Sequence, residues 1–133
     1  AELCIKYPNA GVYVLSLRQH PRERIGWLEM QLAAARRLKR REDEGVALGN
    51  LGLAYAALGE TRKAIEFYEQ RIAIAREIGD RRGEGNALGN LGNAYLNLGE
   101  TRKAIEFYEQ ALVIDREIGD RRGEGADLGN LGL

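Results

Sequence analysis

Positions 46 to 125 repeat with a period of 40, and only eight aligned pairs differ: 46, 53, 56, 57, 71, 72, 73 and 75 against 86, 93, 96, 97, 111, 112, 113 and 115. A chain that writes one unit twice folds into a stack of like units, each burying its apolar face on its neighbour. The unit is punctuated as two antiparallel helices. The spacing predicts a helix A from about Asp43 to Leu58 and again from about Arg81 to Leu98, and a helix B from about Arg62 to Ile78 and again from about Arg102 to Ile118. Gly59, Gly79, Gly99 and Gly119 stand just past the predicted helix ends. Thr61 and Thr101 are placed to cap helix B, and Asp80 and Asp120 to cap the next helix A. Apolar spacing buries Leu88, Leu91, Tyr95 and Leu98 on helix A, and Ala104, Ile105, Tyr108, Ala111 and Leu112 on helix B. Glu77 with Arg81 and Arg76 with Asp80 are expected to pair across the junction between units. The expected fold class is therefore all-α, an α-solenoid of antiparallel helix pairs.

The flanks carry weaker copies of the same unit. Residues 22 to 38 align with helix B at the same offset, Ile25 with Ile65 and Trp27 with Phe67, while Val12 to Leu17, after a turn at Tyr7 to Gly11, supply a short stand-in for helix A. Lys39 and Arg40 replace the Gly-Asp stop, so the helices on either side are expected to fray or run together. At the other end Leu128-Gly129-Asn130-Leu131-Gly132 restates the start of helix A and stops before its tyrosine. The organisation is a degenerate N-terminal repeat or cap over 1–45, units over 46–85 and 86–125, and a truncated helix A over 126–133. The uncovered Leu128 and Leu131 would favour self-association through that end, and the mid-helix stop suggests a fragment of a longer array.

Composition removes several function classes. Lys plus Arg number 20, as do Asp plus Glu, so no global field draws nucleic acid or an anionic membrane. The single cysteine, Cys4, excludes an internal disulfide and a Cys-based metal site, and it suits a reducing, cytoplasmic setting. No signal peptide and no apolar run of bilayer-spanning length is recognisable. The only histidine, His20, sits in a turn beside Pro21 without a nucleophile placed near it. Gly83, Gly85, Gly89 and Gly92 lack the strand and the Lys-Ser/Thr that a phosphate loop requires, and close helix packing accounts for them. The acidic residues are scattered, and Trp27 and the tyrosines fall at core positions. No enzyme and no cofactor is implied.

What remains is a stripe of amides. In helix A of the second unit Asn86, Asn90, Asn93 and Asn97 share one face, where the first unit has Val46, Asn50, Leu53 and Ala57. Asparagine is a poor helix former, and three of these four are absent from the first copy, so the scaffold does not require them. Arg82 lies one turn before Asn86 on the same stripe, Arg122 matches it one unit later, and Asn130 matches Asn90. Such a groove runs from apolar at Val46 and Leu53 to amide-rich and basic towards Arg82 and Arg122. It suits a peptide or protein segment carrying apolar and acidic residues.

Leu48, Leu51-Gly52, Tyr55, Gly59, Ala64 and Tyr68, recurring as Leu88, Leu91-Gly92, Tyr95, Gly99, Ala104 and Tyr108, resemble the signature of the tetratricopeptide repeat. The 40-residue period and the phrase Glu-Gly-Asn-Ala-Leu-Gly-Asn-Leu-Gly resemble the subclass found in LGN-type signalling adaptors and in the C-terminal arrays of bacterial NB-ARC signalling ATPases. Arg71 departs from the pattern, which prefers the small residue present at Ala111; a snorkelling side chain at the helix edge is expected. The resemblance implies a right-handed superhelix whose helix A lines the inner surface, with positions 46, 50, 53, 56 and 57 and positions 86, 90, 93, 96 and 97 facing a ligand. It implies a non-enzymatic protein-binding scaffold with Asn50, Leu53, Arg82, Asn86, Asn90, Asn93, Asn97, Arg122 and Asn130 at the partner surface. The alternative it implies is a ligand-sensing array that regulates an attached ATPase.

Overall fold

The computed structural model describes residues 21–132; Cys4, His20, the turn at Tyr7 to Gly11 and the apolar stretch from Val12 to Leu17 lie outside them. Among the described residues six helices follow one another: α1 (Pro21–Arg37), α2 (Arg41–Ala57), α3 (Thr61–Ile78), α4 (Arg81–Asn97), α5 (Thr101–Ile118) and α6 (Arg121–Leu131). Each packs chiefly on the next in sequence, which makes an all-α solenoid in which α2, α4 and α6 are the A helices and α1, α3 and α5 the B helices.

The stops work as their residue types dictate, with two corrections. Gly59, Gly79, Gly99 and Gly119 take left-handed backbone with φ between 75° and 81°, and the carboxylates of Asp80 and Asp120 accept from the backbone N–H of Gly83 and Gly123 at 2.9 Å. Thr61 and Thr101, however, are the first helical residues rather than caps. The capping positions belong to Glu60 and Glu100, whose side chains make no cap hydrogen bond. The junction after α1 neither frays nor runs on. Lys39 itself adopts φ 56°, the one non-glycine with positive φ among the described residues, so the chain breaks there at the cost of a strained backbone.

One core runs through the stack, with Leu48, Leu51, Leu88 and Leu91 of the A helices at 0–1% exposure. Gly52 and Gly92 let the rings of Tyr68 and Tyr108 lie directly on the A helix; a Cβ at Gly92 would come within 2.6 Å of Tyr108 Cε1. Tyr55 stacks on Phe67 and Tyr95 on Phe107, each pair 5.4 Å between centroids. Ile105 is 40% exposed where Ile65 is 8%, because the 11-residue α6 covers less of α5 than the 17-residue α4 covers of α3. Trp27, expected in the core, is 51% exposed among the described residues.

The units are also clipped together by charge, in pairings other than those the local spacing suggested. Glu84 is 4% exposed and accepts from Arg76 Nε at 2.7 Å and Arg81 Nη1 at 2.8 Å, while Arg81 reaches on to both oxygens of Glu117. Glu44 does the same with Arg36 and Arg41, and Arg41 continues to Glu77. Burial works to raise the Glu44 carboxyl, but the hydrogen bonds from the two arginines outweigh it and hold the group below its ordinary range. The period of 40 therefore carries a repeated arginine–glutamate ladder along the stack.

Candidate functional site: the concave groove

The A helices place their stripe on one open surface. Val46, Asn50 and Leu53 of α2, Asn86, Asn90 and Asn93 of α4, and Asn130 of α6 line a continuous groove of about 440 Å³. A second hollow of about 490 Å³ adjoins it, shares Leu53, Asn90 and Asn93, and extends to Leu96 and Asn97. Neither Arg82 nor Arg122 is part of the lining of either hollow. Arg82 is exposed and reaches Asp120, the cap of α6, at 3.3 Å; Arg122 is exposed and forms no ion pair among the described residues.

The asparagines divide into two kinds. Asn97 donates from Nδ2 to the Oγ1 of Thr61 at 3.0 Å, bridging α4 to the start of the preceding helix B. The Asn93 carbonyl accepts the hydroxyl of Tyr108, within its own helix pair. Asn50, Asn86, Asn90 and Asn130 bond nothing among the described residues. The first unit shows why two of the amides are tied: Ala57 takes the place of Asn97 where position 21 is proline instead of threonine, and Leu53 takes the place of Asn93. In that unit the hydroxyl of Tyr68 has no partner among the described residues, and burial raises its pKa.

The floor of the groove comes from the B helices, which reasoning from the A-helix stripe had passed over. Arg71 does not snorkel: its side chain is 12% exposed, lies between the Cα atoms of Gly45 and Gly83, and donates from Nη2 to Asp80 at 3.0 Å, while its Nη1 is buried without a partner. In the next junction the residue at this position is Ala111, and two carboxylates are buried instead, Asp115 of α5 and Asp127 of α6, at 4% and 5% exposure. Burial first, then the hydrogen bond with Asp115, then the charges of Asp115 and Asp120 push the Asp127 carboxyl up to about 7. Burial, and secondarily the charge of Asp127, raises Tyr108. The groove therefore ends on acid where the stripe alone had suggested base. The signal was present: 71 and 75 belong to the eight positions that differ between copies, and Asp127 stands where Ala47 and Ala87 stand earlier.

Among the described residues no group of three or more metal-ligating side chains converges, and no helix is long and apolar enough to cross a membrane. The arrangement offers hydrogen bonds, apolar contact and two buried acids across an open trough, the chemistry of recognition.

Comparison with known proteins agrees with the geometry. In structure the chain is similar to the TPR domain of Arabidopsis FLU, at 27% identity and a TM-score of 0.71, covering 81% of this chain and 89% of that one. It is similar in fold to a signal transduction ATPase with numerous domains and a tetratricopeptide repeat sensor from Pyrococcus horikoshii, at 24% identity and a TM-score of 0.76; the match covers 83% of this chain and spans 17% of that protein. The N-terminal domain of stress-induced protein-1 from C. elegans shares the fold at 15% identity and a TM-score of 0.57, with 82% and 95% covered. No curated protein sequence matches the chain. Two family models, each describing a tetratricopeptide repeat, match residues 25–77 and 85–117, and with the helix pairs, the Gly–Tyr contacts and the A-helix groove they establish that the chain belongs to the tetratricopeptide repeat family.

Proposed function

We propose that the chain is a non-enzymatic binding array whose concave A-helix face holds an extended peptide or protein segment. The observation that carries this is the pair Asn86 and Asn90, two side-chain amides at the centre of an open groove that bond nothing among the described residues. An amide offers one acceptor and two donors and so matches the backbone of an extended strand. Asn50 and Asn130 continue the row on the neighbouring A helices, and Asn93 keeps an Nδ2 without a partner among the described residues while its carbonyl serves Tyr108. Val46 and Leu53, 48% and 46% exposed, receive apolar side chains at the other end. Acidic side chains of the segment are met at the rim, by Arg122 and by Arg82. The balanced charge and single cysteine suit a cytoplasmic array.

The test is selection of peptides from a random display library on the full chain, followed by calorimetry of the winners at two salt concentrations. Selected peptides bind the parent and lose about 0.5–1.5 kcal/mol for each of Asn86→Ala and Asn90→Ala. Failure to enrich any peptide, or affinities indifferent to both substitutions, removes the reading. The likeness to an ATPase whose tetratricopeptide repeats form a sensor supports a second reading, in which the same face takes a small ligand and regulates a larger signalling protein. Enrichment of peptides separates the two.

A further inference from the structure

The amides leave the acidic end of the same groove without a purpose. Asp115 and Asp127 occupy positions that are Ala75 and Ala87 one junction earlier, where the alanines are equally buried between equivalent helices. Asp115 fills between Gly85 and Gly123 the slot that Arg71 fills between Gly45 and Gly83, so packing there calls for a side chain but not for two acids, and burying them without a counter-charge opposes folding. The protein supplies no such counter-charge among the described residues: Arg71 is bonded to Asp80 and Arg82 to Asp120. Both carboxylates nevertheless line the groove. An independent sign of a ligand lies further along the same lining. Tyr68 is 2% exposed and contributes to the groove wall, yet its hydroxyl has no hydrogen-bond partner among the described residues, whereas the equivalent Tyr108 is satisfied by Asn93. The hydroxyl opens onto the groove and is free there to bond an atom from outside.

We propose that Asp115 and Asp127 receive the ammonium or guanidinium group of a lysine or arginine in the bound segment, and that the Tyr68 hydroxyl bonds the same segment further along. The inference rests on the concave-face reading above and names the chemistry of the partner: a basic residue followed, towards α2, by a backbone group and then an apolar side chain. A cation placed between the two acids gives them the counter-charge that the fold withholds, and a guanidinium can address both at once. Two carboxylates supply too few oxygens for a calcium ion, no third ligating side chain joins them among the described residues, and the length of the groove over three A helices fits a chain better than a free amine.

The experiment uses peptides selected on the full chain. Those that bind the parent are expected to carry a lysine or arginine at one fixed position, and replacing it with norleucine weakens binding on the order of 30-fold or more. Asp115→Ala with Asp127→Ala removes both carboxylates, and its helical circular dichroism is checked against the parent's; on this variant the same peptide is weakened to a similar extent, and the norleucine peptide no longer differs from its parent. Asp115→Asn with Asp127→Asn repeats the test with the shapes kept. Peptides that bind through Asn86 and Asn90 but carry no fixed basic residue, or that bind the alanine variant equally well, overturn the inference and leave the concave-face reading standing. Absence of any selected peptide overturns both.

Discussion

Asn97 and Asn86 are the same residue on the same stripe, yet one is bonded to Thr61 and the other to nothing among the described residues. Their substitutions should part accordingly. Asn97→Ala leaves the buried Thr61 hydroxyl without its donor and is expected to lower stability by about 0.5–1.5 kcal/mol. Asn86→Ala removes no contact and replaces a poor helix former, so stability should hold or rise by up to about 0.7 kcal/mol. Urea unfolding of the two variants checks the pair of outcomes; equal losses would place Asn86 in the scaffold as well. Asp127 sets a pH dependence of its own. Its carboxyl titrates at about 7 in the folded protein, above the unfolded value of about 4, so the folded state holds the extra proton between those values. Stability contributed by that proton is full below about pH 4, declines as pH rises, and is gone above about 7. Glu44 and Asp80, whose folded values are depressed, act in the opposite sense and lose their contribution as pH falls through the acid range. Asp127→Asn should therefore stabilise the protein at pH 8 by on the order of 2–4 kcal/mol and change little at pH 4. Thermal melts across that range decide it, and a parent curve flat from pH 5 to 8 would contradict the assignment.

Between elements, the four glycine stops and the lysine stop make a controlled comparison. Gly59, Gly79, Gly99 and Gly119 enter left-handed backbone freely, whereas Lys39 does so with a Cβ that crowds the following carbonyl. The same break is thus made with strain after α1 and without it elsewhere. Lys39→Gly should stabilise the chain by about 1 kcal/mol, and adding Arg40→Asp, which copies the Asp80 cap, should contribute about 0.5–2 kcal/mol more. Chemical denaturation of the single and double variants measures both steps. A loss on Lys39→Gly would mean that the lysine side chain contributes more than the backbone costs. Both the ease and the strain were written in residue type, but that the helix would break at Lys39 regardless was not. Position 39 is followed by an A helix that must fold back onto α1 to bury Ile25, Leu28 and Leu32, and that requirement overrides the local preference.

At the scale of the whole stack the two inter-unit junctions are chemically different although their backbones match. Between α3 and α4 a buried arginine is paired with Asp80; between α5 and α6 two acids face one another without a cation among the described residues. Stability in a repeat array is close to a sum of unit and interface contributions, so the second junction should open first. Hydrogen exchange is expected to show α6 the least protected of the described helices at pH 8, with protection rising in the Asp115→Ala, Asp127→Ala variant and α2 to α4 unchanged. Uniform protection along the chain would show that the acid pair does not weaken its interface.

The period of 40, the alternation of helix stops and the small residues at Gly52 and Gly92 were sufficient in sequence to specify the solenoid and to place the A-helix stripe on one face, because these depend on local geometry and on spacing. Which asparagine is tied and which is free, where Arg71 finds its acid, and that Asp115 meets Asp127 depend on how one helix lies on the next, whether the partners are nine positions apart, as Arg71 and Asp80 are, or many more. Thr61 and Asn97 are 36 positions apart. Local periodicity governs which face a side chain takes; only the packing of one helix against the next decides what waits for it there.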